Sequence, residues 1–338
     1  MRTGLTYYGN YQDWSGIPDS VLDRDFARFQ NDGIKLILLP VFWNSAEGST
    51  PGSYKTEVFS RLNHIIDKAR EYGIKVVMNI HTWYTGTNVP SYAENQRNTI
   101  VNSTIRQYWL NFVKYFIRAL DKENVESFQV FNELSYHSWS MNVTQDQFYD
   151  FCISTFEAAR SVTYKPISAR WGGDGTNGME DRFYGIFDYF CTNYYDAYNE
   201  PSQLQNIFNK VRLYNRDLWI TEYGLATSDD QAQAQRYESN LSLFKSVGIH
   251  TAVNWWWSGL RGVGETRYNI ADGSGNPRPA YYVVVSYNEG EVFLLVSITS
   301  SPIRVTVNVN GRDYATDTSI LVTAGSTISI TYPEEVES

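Results

Sequence analysis

The residues that decide the fold are NDGIKLILLPVF at positions 31–42. Gly33 separates a segment of helical periodicity from the apolar run Ile34 to Phe42, and EYGIKVVMNI at positions 71–80 repeats this arrangement. A glycine just past the last turn of a helix can adopt the left-handed conformation that lets the chain turn directly into a strand. Both segments therefore predict a helix followed at once by a parallel strand.

Apolar or β-branched runs of this kind recur up to about residue 282, with amphipathic helical segments between them. Predicted helices include Thr56 to Tyr72 and Thr144 to Arg160, the second opening with the capping-box pair Thr144 and Gln147. Eight strands are predicted, at residues 4–8, 34–42, 74–80, 127–131, 166–169, 187–192, 218–221 and 250–255. Eight alternations of strand and helix predict an α/β fold, the (β/α)8 TIM barrel. A doubly wound sheet is the competitor, but the turn after the first strand lacks the glycine-rich loop of that fold.

The pattern changes after Tyr282 to apolar residues at a period of two. Strands are predicted at residues 292–298, 303–309, 319–322 and 327–332, and Asn310-Gly311 is a hairpin signal. The prediction is therefore a barrel over residues 1–284 and a C-terminal β-sandwich-like accessory domain over residues 285–338. The second domain contains no tryptophan, which favours structural capping over a role in binding.

Composition excludes several classes of protein. The chain of 338 residues is 16% aromatic and 19% charged, a balance that excludes intrinsic disorder. The formal net charge is −9 with no cluster of Lys or Arg, which excludes a nucleic-acid partner. No apolar run approaches the roughly 18 residues of a membrane span. Cys152 and Cys191 each lie in an apolar segment and are predicted to be buried free thiols.

Two glutamates follow predicted strands at the end where barrels of this class carry functional groups. Glu133 closes the run Val130-Phe131-Asn132-Glu133 after the fourth strand, and Glu222 follows Ile220-Thr221 after the seventh. Paired carboxylates at strand ends are suited to cleaving a glycosidic bond, one as acid and the other as base or nucleophile.

Aromatic residues near strand ends support this interpretation, because flat rings cover the apolar faces of sugars. The candidates are Tyr8, Trp14, Trp43, Trp83, Trp139 and Trp171. Trp109 and Trp219 are assigned to packing instead, because they lie within a helix and at the start of a strand.

The sequence resembles the retaining glycoside hydrolases of the (β/α)8 clan that carry catalytic glutamates on strands four and seven, and is most similar to glycoside hydrolase family 5, the cellulases and mannanases. The resemblance covers residue 1 to about residue 282. It rests on Gly33-Ile34 to Trp43, Asn79-Ile80-His81-Thr82-Trp83, Asn132-Glu133, Asn193-Tyr194-Tyr195, Glu222-Tyr223-Gly224, Asn254-Trp255-Trp256-Trp257 and Gly275 to Tyr281.

The resemblance implies Glu133 as acid/base and Glu222 as nucleophile of a double displacement. Asn132 would bond the sugar 2-hydroxyl, Tyr195 would donate to Glu222, and either Trp255 or Trp257 would lie under the cleavage-site sugar. The remaining candidates for substrate binding are His81, Asn193, Trp43, Trp83 and Trp171.

Three positions depart from the family pattern. Leu38 stands where the family usually has an Arg that supports the nucleophile, Asn193 stands in place of His, and Leu134 follows Glu133 in place of Pro. The site is therefore expected to be electrostatically rearranged.

The predicted activity is endo cleavage of a β-1,4-linked glucan or glucomannan. A β-mannanase and an exo-glycosidase of the same clan are the alternatives within the enzyme class, and a catalytically silent carbohydrate-binding barrel is the alternative outside it. We expect a polysaccharide or oligosaccharide partner, no cofactor, no metal, a monomer and an extracellular location, although the chain as given shows no signal-peptide pattern.

Overall fold

The structure, a computed structural model, describes residues 1–7, 16–81, 88–133, 142–172, 180–195, 200–258 and 268–288, and the backbone of five short strands after residue 288. The side chains of His81 and Gln96 lie outside this description.

Nine parallel strands form one sheet, in the order β5-β4-β3-β2-β1-β9-β8-β7-β6. They are β1 (Arg2–Thr6), β2 (Leu36–Phe42), β3 (Lys75–His81), β4 (Val125–Gln129), β5 (Ile167–Ser168), β6 (Arg170–Trp171), β7 (Phe190–Tyr194), β8 (Leu218–Tyr223) and β9 (Thr251–Asn254). Only Ala169 separates β5, which pairs with β4, from β6, which pairs with β7. The two are halves of one strand, so the sheet is an eight-stranded barrel and the predicted (β/α)8 fold is confirmed.

Helices cover the outside of the sheet. In the described part of the chain the α-helices are α1 (Asp19–Asn31), α2 (Trp43–Ala46), α3 (Thr56–Glu71), α4 (Gln96–Val101), α5 (Ser103–Leu120), α6 (Gln145–Arg160), α7 (Pro201–Leu213), α8 (Asp230–Val247) and α9 (Pro279–Ser286). Gly33 and Gly73 have φ of 77° and 69°, which confirms the left-handed turns from α1 into β2 and from α3 into β3. Thr144 and Gln147 form the predicted capping box at the start of α6.

Apolar side chains form two layers on opposite faces of the sheet. Along β2, Ile37 and Leu39 join the large core beneath the helices, whereas Leu36 and Leu38 join a smaller cluster inside the barrel. Successive side chains of a strand point to opposite faces, which produces this division. The interior cluster also contains Val77, Tyr189, Cys191, Trp219 and Val253. Leu38 therefore fills the barrel interior with an apolar side chain.

The C-terminal residues contain two small antiparallel sheets. One pairs β10 (Phe293–Ile298) with β13 (Thr318–Thr323), and the other places β11 (Thr306–Val309) between β12 (Arg312–Ala315) and β14 (Ile330–Thr331). Val309 of β11 pairs with Arg312 of β12. The predicted hairpin residues Asn310-Gly311 lie outside the described residues. The division into a barrel and an accessory domain at residue 284 stays a prediction.

Both cysteines are free and buried, as the sequence predicts. Within the described residues, no helix is both long and apolar enough to cross a membrane.

Candidate active site

The two predicted glutamates lie at the same end of the barrel. Glu222 is the next-to-last residue of β8, and Glu133 follows the end of β4. Arg170 on β6 and Asn193 on β7 also lie toward the carboxyl ends of their strands. Because parallel strands bring these ends to one face of the barrel, the four side chains can form a single cluster.

Both carboxylate oxygens of Glu222 are contacted. The Tyr195 hydroxyl donates a hydrogen bond to Oε1 at 2.6 Å, and Nη2 of Arg170 forms an ion pair with Oε2. Glu222 is only 7% exposed, and Arg170 has no exposed surface. A cation in buried surroundings favours the ionised form of a neighbouring carboxyl group. Burial raises the pKa of Tyr195, so its hydroxyl keeps the proton that it donates.

Glu133 has a different environment. Its Oε1 accepts a hydrogen bond from Nδ2 of Asn193 at 2.9 Å, so this contact comes from a neutral amide. The backbone of Glu133 has φ of 48°, in the left-handed region that is unfavourable for a residue with a side chain. Strain of this kind is found at functional sites, where the surrounding structure enforces it.

Asn193 connects the two glutamates. Its Oδ1 accepts a hydrogen bond from Nε of Arg170 at 2.9 Å, while its Nδ2 donates to Glu133. The contacts therefore form a continuous series, Glu222–Arg170–Asn193–Glu133. The sequence predicts Glu133, Glu222, Asn193 and Tyr195 as site residues, and the structure brings all four together with Arg170, which the sequence analysis missed.

A signal for Arg170 was present in the sequence. The fifth predicted strand ends at Ala169, so Arg170 follows it much as Glu133 follows the fourth strand. A search for catalytic carboxylates at strand ends passes over a cation at the same kind of position. Testing every charged residue after a predicted strand would have found it.

The structure separates Trp255 from Trp257. The ring of Trp255 lies over the guanidinium of Arg170, 5.2 Å from its central carbon. Trp257 has no exposed surface and packs edge-on against Phe29 of α1, with ring centroids 4.8 Å apart. Neither residue belongs to a strand, because β9 ends at Asn254. Trp255 is therefore the one that lies at the site.

Two other predicted sugar-binding aromatics are core residues. Trp43 and Trp171 both have no exposed surface. Trp43 packs against Trp109 of α5, and Trp171 stacks on Phe190 with ring centroids 5.6 Å apart. A fully buried ring has no face to offer a sugar, so their assignment to substrate binding is corrected to packing. Trp109 and Trp219 are buried, as predicted.

The remaining candidates are only partly described. Asn132 is buried beside Glu133 in the chain. His81 ends β3 opposite Phe42 of β2, but its side chain lies outside the described residues. Tyr8, Trp14, Trp83 and Trp139 also lie outside them.

Trp43 offers a test of its structural role through a buried carboxyl group. Its Nε1 donates to Oε2 of Glu47 at 2.6 Å, and burial raises the pKa of Glu47. A raised folded-state pKa makes stability fall as pH rises from the unfolded value through the folded one. Trp43→Phe removes a hydrogen-bond donor that lowers the pKa of Glu47. The folded-state pKa then rises further, so stability falls over a wider pH range. We expect a loss of about 1–3 kcal/mol at neutral pH and a smaller loss near pH 4, measured by urea unfolding.

The matched control is Trp109→Phe. Trp109 is equally buried, but its Nε1 donates to the neutral Oγ1 of Thr155 at 3.1 Å. Its loss of stability should not vary with pH. An equal pH dependence in both variants would contradict the role assigned to the Trp43–Glu47 contact.

The model of the cellulase family, glycosyl hydrolase family 5, matches residues 6–260. The chain belongs to glycosyl hydrolase family 5. The match spans strands β2 to β9 and includes Glu133 and Glu222, so the family resemblance inferred from the sequence is confirmed. Comparison with curated proteins finds no match.

Solved structures similar to this family 5 chain share its fold at low sequence identity. A GH5_18 variant from Bifidobacterium longum subsp. longum, solved with Manβ1-4GlcNAc, is 13% identical, with TM-score 0.70 over 85% of this chain and 77% of that one. An exo-β-1,4-mannosidase from Opitutaceae bacterium strain TAV5 is 16% identical, with TM-score 0.70 over 84% and 59%. An endo-β-1,4-mannanase from Thermotoga petrophila is 13% identical, with TM-score 0.67 over 93% and 88%.

Proposed function

We propose that this family 5 glycoside hydrolase is a retaining β-glycosidase, with Glu222 as nucleophile and Glu133 as acid/base. The observation that carries the proposal is the difference between the two carboxylates. Glu222 is paired with a buried guanidinium and accepts from Tyr195, whereas Glu133 accepts from the neutral amide of Asn193. A double displacement needs one carboxylate ionised and the other able to carry a proton, and this asymmetry favours that assignment.

The proposed reaction has two steps. Glu222 attacks the anomeric carbon while Glu133 gives its proton to the leaving oxygen, which produces a glycosyl ester on Glu222. Glu133 then takes a proton from water, and the resulting nucleophile attacks the same carbon and releases Glu222 as a carboxylate. Arg170 and Tyr195 remain in place to receive the negative charge when it returns.

We propose β-1,4-linked mannan and glucomannan as the substrate class, whereas the sequence alone favours glucan or glucomannan ahead of mannan. The support is that similar solved structures include an exo-β-1,4-mannosidase, an endo-β-1,4-mannanase and a protein holding Manβ1-4GlcNAc. Endo action, as predicted from the sequence, would yield a mixture of oligosaccharides, whereas exo action would yield a single small product.

A substrate screen tests this proposal. Release of reducing sugar is measured from linear mannan, galactomannan, glucomannan, carboxymethylcellulose, lichenan and xylan, with Glu222→Ala protein as the blank. We expect release from mannan and glucomannan to exceed release from carboxymethylcellulose and lichenan by about tenfold or more, a difference of roughly 1.4 kcal/mol in transition-state stabilisation.

The opposite ranking would restore the glucan assignment. Binding of mannan and glucan without release of reducing ends from either would instead favour a carbohydrate-binding barrel without catalysis. Chromatography of the early products separates endo from exo action.

A further inference from the structure

We infer that Arg170 is a positioning residue that sets the charge states of both glutamates, that of Glu222 directly and that of Glu133 through Asn193. This inference rests on the proposed roles of the two glutamates and adds the group that keeps those roles apart. Its basis is that a single buried guanidinium contacts Glu222 through Nη2 and Asn193 through Nε.

The contact with Arg170 fixes which way the Asn193 amide points. Nε–H of arginine can only donate, so the atom of Asn193 that faces it must be the carbonyl oxygen. The amide nitrogen is then left facing Glu133, as observed at 2.9 Å. A flipped amide would point its N–H groups at the guanidinium and its carbonyl at the carboxylate, and would lose both hydrogen bonds.

The fixed amide has a consequence for Glu133. An N–H donor stabilises the ionised carboxylate, whereas a carbonyl in the same place would favour the protonated acid. Arg170 therefore lowers the proton affinity of Glu133 through Asn193. It also keeps Glu222 ionised by direct contact. Arginine does not lose its own proton at any working pH, so this influence is constant.

Three buried titratable groups near the cluster do not share this role. Tyr195 interacts electrostatically with Arg170, Glu133, Tyr237 and Tyr268. Cys191, which lies on β7 with Asn193, interacts with Arg170. Burial raises the pKa of Tyr195 and Tyr237, and it raises the pKa of Cys191 to about 12. These three groups stay neutral through the pH range of an activity profile.

The chain supplies a matched control for Arg170. Arg2 is also buried, forms an ion pair with Glu126 at 2.7 Å, and lies over the ring of Trp219 at 5.0 Å. Arg2 begins β1 and Glu126 lies near the start of β4, so this pair is at the opposite end of the barrel from the site. Arg2→Met and Arg170→Met therefore each leave one buried carboxylate without its guanidinium, but only the second does so at the site.

The experiment compares profiles of kcat/KM against pH for wild type, Arg170→Met, Arg170→Lys and Arg2→Met. The substrates are 4-nitrophenyl β-mannobioside, which reports both limbs, and 2,4-dinitrophenyl β-mannobioside, whose leaving group needs no proton and which reports the acid limb alone. For Arg170→Met we expect both limbs of the profile to move to higher pH, the acid limb by about one unit or more. On the acid limb, kcat/KM at a fixed pH should fall by about tenfold for each unit that the limb moves. Arg2→Met should lower the melting temperature but leave both limbs in place.

Arg170→Lys separates the two contacts. An ammonium group keeps the charge beside Glu222, but it lacks the separate N–H groups with which a guanidinium contacts Glu222 and Asn193 at the same time. We expect its acid limb to stay near that of wild type and its basic limb, which reports Glu133, to move upward. This variant decides the question if Arg170→Met does not fold.

The outcomes distinguish this inference from the proposed function. Wild-type protein that hydrolyses neither these glycosides nor any polysaccharide of the screen would refute the proposed function. If the wild type is active and Arg170→Met has the same pH profile, the role of Arg170 is overturned but the proposed function is not. If Arg170→Met is unfolded, an unchanged profile in Arg170→Lys gives the same result.

Discussion

Glu222→Ala is expected to lower kcat/KM by at least about 10⁴-fold, and azide is expected to restore cleavage with inversion at the anomeric carbon. The alanine removes the carboxylate that would attack the sugar and leaves a space beside Arg170. A small anion can enter that space and attack the anomeric carbon once. The product is then an α-glycosyl azide from a β-glycoside, which proton NMR identifies directly.

The change also leaves Arg170 buried without its carboxylate, which by itself destabilises the fold. Removing one member of a buried ion pair costs about 3–5 kcal/mol. Glu126→Ala, which leaves Arg2 in the same condition, measures this cost without touching the site. Glu126→Ala should retain activity while folded. An azide product with retained configuration, or no rescue at all, would remove Glu222 as the nucleophile.

Much of the fold follows from local sequence patterns. The helix-to-strand turns at Gly33 and Gly73 depend on backbone conformations that glycine alone adopts readily, so they can be recognised without tertiary information. The same holds for the capping box at Thr144. The split of the fifth strand at Ala169 was not predicted, because it depends on how two neighbouring strands pair with it on either side.

Site residues could be predicted where their chemistry is rare at a strand end, as for Glu133 and Glu222. Aromatic residues carry less information, since a tryptophan after a strand can face either the cleft or the helices. Trp43 and Trp171 pack into the core because α5 and β7 present aromatic partners to them. Those partners are distant in the chain, and so their effect cannot be seen in the local pattern.

Arg170 is a site residue that the local sequence pattern does not identify. The sequence shows that Leu38 lacks the charge expected at its position, and this absence predicts a rearranged site. It does not show which residue supplies the replacement. Ion pairing between β6 and β8 identifies Arg170 only once the strands are placed in the barrel. The compensation is a property of the barrel face as a whole, because any strand can direct a cation toward its centre.

The effect of Glu133→Ala is expected to depend on whether the leaving group of the substrate must be protonated. For 4-nitrophenyl and polysaccharide substrates, kcat/KM should fall by about 10²–10⁴-fold, because the departing oxygen loses its proton donor. For 2,4-dinitrophenyl substrates, kcat/KM should change little, since that phenolate leaves without protonation. The variant should then accumulate glycosyl ester on Glu222, visible as a burst of dinitrophenol and by intact mass. A uniform loss across leaving groups would contradict the role of Glu133.

Glu133→Gly separates the catalytic loss from any structural one. Glycine tolerates the φ of 48° that Glu133 adopts, so this variant should show the same dependence on leaving group as Glu133→Ala. It should also unfold at higher urea concentration than Glu133→Ala, by a stability difference of about 1 kcal/mol. Azide should accelerate turnover of the dinitrophenyl substrate by both variants with retention of configuration. That is the opposite of its effect on Glu222→Ala, because here the ester on Glu222 has already inverted the centre once.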